Sequence, residues 1–239
     1  MTDELWVCHL PAIEYSAATE LQERVRAARQ DERIPDTLLL LEHPPVYTRG
    51  RRSDAAELTM GEAWYREQGI DIVDTNRGGR VTYHGPGQLV GYPIMRIDDV
   101  IAYLRTMERA IVAALADAGI SARARPNEGP DFTGVWAGER KIASIGVHVA
   151  RGVTTHGFAI NVDNDLAPFG WVVPCGLTGV QMTSIAQETG GGRPVPEALP
   201  NFRERIAQRF AEAFERTPSA VAPGDLEAQL RADAIELRR

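Results

Sequence analysis

Apolar residues recur along this chain with two periods, and the switch between them lays out the elements. Between residues 15 and 30, Ala18, Leu21, Val25 and Ala28 fall at three- and four-residue spacing with Arg and Glu between them, which predicts an amphipathic helix. Before it, residues 5–10 read as a strand. After it, the unbroken apolar run in 37–42 reads as a buried strand that Pro44-Pro45 ends. Residues 61–68 predict a short helix and 70–74 a short strand. Residues 80–84 and 88–96 predict strands around a Gly85-Pro86-Gly87 corner. Asp98-Asp99 opens the clearest helix, whose apolar face carries Ile101, Leu104, Ile111, Val112 and Leu115, and Gly119 closes it. Beyond Gly119 the period drops to two. Residues 134–137, 141–150 and 153–162, with turns at Gly138-Glu139 and Arg151-Gly152, predict an antiparallel meander. The three consecutive glycines and three prolines in 187–200 mark a linker, and helices follow near 197–215 and 224–238. Strands and helices mix without strict βαβ alternation. The expected fold is α/β of the α+β type: a mixed, mostly antiparallel sheet with flanking helices.

A length of 239 residues suits one domain, 1–239, with a motif core at about 36–186, a linker at 187–200 and helices over 201–239. Hydrophobic residues at 44% and charged residues at 25% fit a globular chain and exclude disordered and fibrous classes. No apolar run approaches the ~20 residues that cross a bilayer. The acidic opening lacks a basic stretch, so the reading expects no signal peptide, no membrane association and a cytoplasmic location. A net charge of −7 argues against nucleic acid as a partner. In a reducing compartment the two cysteines, Cys8 and Cys175, are expected to be free thiols. Of the 26 basic residues, 25 are Arg and only Lys141 is Lys. Arg keeps its proton at ordinary pH, whereas a desolvated Lys can release one. Lys141 therefore marks either a site that needs a titratable amine or a chance survivor, and the count leaves both open.

Four segments concentrate chemistry. Arg77-Gly78-Gly79-Arg80-Val81-Thr82-Tyr83-His84-Gly85-Pro86-Gly87-Gln88 carries the glycines and flanking charges of a binding loop, with N–H groups free to hold a carbonyl or an oxyanion. Its spacing fits neither a P-loop nor a dinucleotide fingerprint, and a plain hairpin corner is the alternative. Lys141-Ile142-Ala143-Ser144-Ile145-Gly146-Val147-His148 starts a strand whose small residues suit the floor of a pocket. His156-Gly157-Phe158-Ala159-Ile160-Asn161 is either an apolar channel wall or ordinary strand packing. Pro174-Cys175-Gly176-Leu177 puts a thiol at an irregular spot, whereas Cys8 lies inside a strand. A nucleophilic cysteine needs a partner to form thiolate, and a histidine or Lys141 can serve. The histidines at 9, 43, 84, 148 and 156 form no H-x-x-x-H pair, and no metal site is expected. The arginine cluster at 49–52 reads as a solvated loop or a landing patch for an acidic partner.

Taken together the motifs resemble one family, the lipoyl(octanoyl) transferases. The resemblance rests on Pro44-Pro45-Val46-Tyr47-Thr48, Gly50-Arg51, Arg77-Gly78-Gly79, Thr82 to Gln88, Tyr92-Pro93-Ile94, Lys141 to Val147, His156 to Asn161, Pro174 to Leu177 and Thr183-Ser184, in that order. Ile185 stands where a leucine is expected. The resemblance implies a fold shared with biotin protein ligase catalytic domains and lipoate–protein ligases. It implies transfer of an octanoyl group from acyl carrier protein to a lysine on lipoyl domains of 2-oxoacid dehydrogenase complexes and on the glycine-cleavage H protein, the first step of endogenous protein lipoylation. Cys175 would be the acyl-thioester nucleophile and Lys141 its base. Arg77, Gly78, Gly79, Arg80, Val81, Thr82, Tyr83, His84, Ser144, Ile145, Gly146, Gly157, Phe158 and Ala159 would bind the acyl group, with no ATP, metal or other cofactor. The competing readings are an ATP-dependent lipoate or biotin ligase of the same fold, a hydrolase using Cys175 with His84 or Lys141, and a non-catalytic acyl-carrier binder.

Overall fold

An eight-stranded sheet runs through the centre of the computed structural model, which describes residues 3–172, 180–190 and 198–236. The chain begins with β1 (Glu4–Ala12), α1 (Tyr15–Gln30), β2 (Asp36–Glu42) and β3 (Val46–Arg49). Next come α2 (Glu62–Glu67), β4 (Asp71–Asp74), β5 (Thr82–His84), β6 (Gln88–Ile94) and α3 (Val100–Asp117). The meander follows as β7 (Arg123–Ala124), β8 (Gly134–Ala137), β9 (Arg140–Ala150) and β10 (Val153–Asn161). The chain closes with α4 (Ile185–Glu188), α5 (Ala198–Ala213), β11 (Thr217–Ala220) and α6 (Pro223–Glu236). The main sheet has the order β11-β1-β2-β6-β10-β9-β8-β7, and a three-stranded sheet, β4-β3-β5, stands beside it. Within the main sheet β1 is parallel to β2 and to β11, and every other pairing is antiparallel. This is the mixed, mostly antiparallel sheet that the periodicity predicts.

The apolar run of β2 explains the layering. Leu38 and Leu40 point into a core shared with Met107 and Ile111 of α3 and Ile206 and Phe210 of α5. Leu39 and Leu41 point the other way, toward Leu21 and Val25 of α1 and Leu226 of α6. A third cluster, Tyr47, Tyr65, Val81, Tyr83, Phe169 and Val172, packs the small sheet. Asp99 caps α3 by accepting N–H bonds from Ile101 and Ala102, as the Asp98-Asp99 start signal predicts. Strands β3, β7 and β11 are additions to the expected set. Each is two to four residues long, too short to show a period, and each exists because a neighbour offers an edge. The linker expected at 187–200 is shorter at its start, since α4 runs through Glu188; residues 191–197 lie outside the described ones.

One buried charge ties these layers together. Asp36 at the start of β2 is 4% exposed and accepts from Arg29 Nε of α1 at 2.7 Å and from the Arg96 N–H at 3.0 Å. Arg216, just before β11, reaches its second oxygen at 3.4 Å. Removing one partner of a buried pair leaves the other charge uncompensated, at about 3–5 kcal/mol. Asp36→Ala should therefore lower the unfolding free energy by roughly that amount, read from urea denaturation; an unchanged midpoint would refute this role.

Candidate active site

A cavity with about 610 Å³ of empty space, open at one side, lies on the α1 face of the main sheet, between it and the small sheet. Its floor comes from β9 (Ser144, Ile145, Gly146), β10 (Gly157, Phe158, Ala159) and β6 (Val90, Tyr92). Thr82 and His84 of β5, with Val81 and the 77–80 loop, form the facing wall. The more exposed Arg52, Arg80, Pro130 and Asp131 mark the mouth, and the buried Tyr15 and His156 close the far end.

Lys141 lines this cavity and is 2% exposed. Three features aim it there. First, the ladder between β8 and β9 carries a bulge: Trp136 pairs with Lys141, but Val135 pairs with Ala143. The extra residue shifts the alternation, so Lys141 reaches the cavity with Ser144 and Gly146 while Ala143 enters the α3 core. Second, Gly134 has φ +135°, and a Cβ there would sit 2.9 Å from Lys141 Cε and 2.3 Å from the Ala143 oxygen. Glycine lets the lysine stem pass. Glu108 of α3, 1% exposed, holds that spot by accepting the Gly134 N–H at 3.1 Å. Third, Lys141 Nζ lies 5.3 Å from the centre of the Trp136 ring, within cation–π range. The backbone of Lys141 is gripped as well. Its N–H donates to the Gln181 oxygen at 2.9 Å, and its oxygen accepts from the Thr183 N–H at 3.0 Å.

The 77–79 loop is wedged between two backbones. Gly78 N–H donates to the Val147 oxygen at 2.9 Å, and the Arg51 and Arg52 N–H groups donate to the Arg77 and Gly79 oxygens, each at 3.0 Å. A Cβ on Gly146 would meet the Gly78 oxygen at 2.8 Å, so the glycines here let strand and loop approach. The Gly78 N–H is thereby committed to Val147 and is not a free oxyanion donor, which corrects one expectation for this loop. The buried Arg77 donates to the Thr48 oxygen at 2.6 Å and to Thr48 Oγ1.

Most residues expected to bind the acyl group meet at the cavity, but Gly78 and Tyr83 do not line it. Tyr83 sits between Thr82 and His84 on a strand, so it faces the opposite side and packs on Tyr47 and Phe169. Tyr15, Arg52, Val90, Tyr92, Pro130, Asp131, Thr133 and His156 line the cavity without having been expected there. Of these, His156, Tyr92 and Arg52 stood in segments already marked, though not as acyl-binding residues, and the others come from distant elements with no local signal. The Arg52 guanidinium meets Asp131 at 3.0 Å across the mouth. His148 does not line the cavity. Cys175, with Pro174, Gly176 and Leu177, lies outside the described residues. Among the described residues no cluster of three His, Cys, Asp or Glu side chains is arranged for a metal ion, and no helix is long and apolar enough to cross a membrane.

Three buried histidines stand around the closed end, and their partners fix their tautomers. His43 Nδ1–H donates to the Ile13 oxygen at 2.7 Å, so its Nε2 accepts from Tyr92 Oη at 2.6 Å. His156 Nε2–H donates to Asn76 Oδ1 at 2.7 Å, and Tyr15 Oη lies 3.3 Å from its Nδ1. His84 Nδ1–H donates to Gln88 Oε1 at 2.8 Å; Gln88 Nε2 donates to Asn161 Oδ1 at 2.9 Å, and Asn161 Nδ2 to the Thr183 oxygen at 2.9 Å. This relay joins the cavity wall to the segment that grips Lys141. Burial pushes His43 down to about 4 and His84 well below its ordinary value. Burial, and then the Arg77 charge, push His156 down to about 3. At neutral pH all three rings are uncharged. Cys8, buried in β1, has its thiol pushed up to about 11 by burial, which makes it a poor nucleophile.

Residues 14–211 match the family of lipoyl protein ligase A/B catalytic domains. An octanoyltransferase of Solibacter usitatus is 48% identical over 210 residues, covering 86% of this chain and 91% of its own. One from Geobacter sulfurreducens is 43% identical over 222 residues, covering 91% of this chain and 90% of its own. Among solved structures, a lipoate-protein ligase A bound with ATP superposes with a TM-score of 0.72 at 19% identity, over 98% of this chain and 94% of that one. The lipoate protein ligase of an archaeal lipoylation system from Thermoplasma acidophilum gives 0.70 at 20% identity, over 98% and 92%. Identity at that level shows a common fold.

The neutral histidines make the stability of the site depend on pH. Unfolded histidines take up protons as pH falls through about 6.5, while the folded rings resist down to about 4 and below. The unfolded chain then binds more protons, so stability present above pH ~6.5 is lost on acidification. Each such ring should add about 1.4 kcal/mol of loss per pH unit between pH 6.5 and 4. Urea midpoints taken across this window check the slope, and a flat profile would show that the rings are not held neutral.

Proposed function

Because this chain belongs to the family of lipoyl protein ligase A/B catalytic domains and is an octanoyltransferase of protein lipoylation, we propose that it works through a thioester on Cys175 with Lys141 as the base. The donor is octanoyl-acyl carrier protein. The acceptors are lysines on lipoyl domains of 2-oxoacid dehydrogenase complexes and on the glycine-cleavage H protein. Lys141 takes the proton of the Cys175 thiol, the thiolate attacks the carrier thioester, the tetrahedral adduct collapses, and the carrier thiolate leaves with the proton that Lys141 returns, which leaves the amine neutral. The acceptor amine then attacks the acyl-cysteine, loses its proton to Lys141, and expels the Cys175 thiolate as the amide forms. Thioester exchange is close to isoenergetic and amide formation is downhill, so neither ATP nor a metal is needed. The reaction takes place in the cytoplasm.

The observation that carries this reading is a buried amine at the edge of a channel of small and apolar residues, with the chain that follows Cys175 paired to its backbone. Cys175 stands three residues after Val172 and five before Val180. Arg in place of Lys141 would keep the charge but could not accept a proton. The channel also gives selectivity, at about 0.8 kcal/mol per buried methylene. An ATP-dependent ligase is the less supported reading. The ligases share the fold at 19–20% identity, whereas octanoyltransferases match most of the chain at 43–48%.

Cys175→Ala is expected to abolish transfer and to leave no acyl adduct in the intact mass after mixing with octanoyl-acyl carrier protein. Lys141→Arg should lose about 10²–10⁴-fold in turnover, the usual worth of a positioned proton acceptor. Wild-type turnover in Lys141→Arg would remove the base from the scheme, and an adduct on the Cys175→Ala protein would remove the nucleophile.

A further inference from the structure

Two hollows of this molecule meet at one pair of side chains. Tyr15 and His156 close the far end of the cavity, and the same two residues line a second groove that opens to solvent between α1 and the 73–76 segment. Their rings stack with centres 6.5 Å apart and planes 12° from parallel. Asn76, which also lines the outer groove, accepts from His156 Nε2–H at 2.7 Å. Gln22 Oε1 accepts the His156 backbone N–H at 2.6 Å. His156 holds φ +58° inside a strand, a conformation that costs a side-chain-bearing residue free energy and is kept only where the surroundings enforce it.

The strand register sets the depth of the cavity up to this wall. Ala159 pairs with Ser144, Gly157 with Gly146, and His156 with Val147. Lys141 precedes Ser144 on β9, and its stem passes Gly134, the register partner of Ser144, where a Cβ would stand 2.9 Å from Lys141 Cε. From Ser144 to Val147 is three strand steps, or about 10 Å at about 3.3 Å per residue. An extended chain of eight carbons, at about 1.3 Å of advance per ~1.5 Å bond, spans about 9–10 Å. The available length thus matches an octanoyl chain whose carbonyl stays near Lys141. This match rests on the octanoyl reading above.

We propose that the Tyr15–His156–Asn76 wall fixes the acyl-chain length this enzyme accepts, and that opening it would join the cavity to the outer groove and admit chains longer than eight carbons. Tyr15 and His156 are specificity-determining residues, and Asn76 positions the His156 ring.

His156→Gly is the direct test, because glycine adopts φ +58° without strain while the ring and its two side-chain bonds disappear. The readout is the ratio of kcat/KM for tetradecanoyl- over octanoyl-acyl carrier protein. It should rise at least about ten-fold over wild type, the effect of burying roughly two more methylenes. An unchanged ratio overturns the proposal, including the case in which both rates fall together because the wall is merely structural. Tyr15→Ser opens the wall from its other side and should raise the same ratio. A binding measurement guards against loss of turnover: tetradecanoate should raise the Tm of each variant but not of wild type, while octanoate raises the Tm of wild type. A tetradecanoate shift equal in wild type and variants contradicts the wall. If wild type transfers no octanoyl group, the functional reading fails, and the fatty-acid shifts still decide whether the wall limits chain length.

Discussion

The two hydrogen bonds that grip the backbone of Lys141 are the constraint on which the site depends. They join β9 to residues 181–183, the segment that resumes after the Cys175 stretch, and they fix the only lysine of the chain at the cavity edge. Strand pairing has a period of two, so a slip of one residue would turn the amine out of the cavity. The β8–β9 bulge and Gly134 protect the same placement from the other side. The relay from Thr183 through Asn161 and Gln88 to His84 extends it across β10 and β6 to the opposite wall. A single arrangement thus sets the position of the Lys141 amine and the floor of the cavity.

The closed end works on a different principle. Polar rings border the closed end of the cavity, an arrangement that would be costly if their donors were unpaired. Here Tyr92 and His43 satisfy each other, as do Tyr15, His156 and Asn76, and burial keeps the histidines neutral. A wall of satisfied, uncharged aromatic rings offers an alkyl chain contact without stranding a donor. The strained backbone of His156 is the local cost of aiming its ring at Tyr15.

The elements legible in the sequence are those with enough residues to show a period. The α3 helix has its cap and apolar face written locally, and the β8–β10 meander has its turns at glycines. Strands β3, β7 and β11 have neither, since pairing with a neighbour creates them. Composition drew attention to Lys141, as one lysine beside 25 arginines, but left its role open until the motif around it was read. The exclusion of Tyr83 follows from the alternation of a strand once Thr82 and His84 are known to face the cavity. Tyr15 and Asp131 were not legible, because each arrives from a different element and only the fold brings them together, and Tyr92 stood in a motif that did not show which way its ring faces. The left-handed backbone of His156 leaves no mark in the sequence.

The central claim is that the Cys175 thiol and the Lys141 amine share one proton, and the pH dependence of Cys175 alkylation tests it most directly. Cys8, with its thiol pushed up to about 11, stays silent in the same protein. With iodoacetamide as the probe, the account predicts a thiolate titration below the ordinary thiol value of about 8.5 in wild type, rising toward that value in Lys141→Gln. The same titration in both proteins would contradict it.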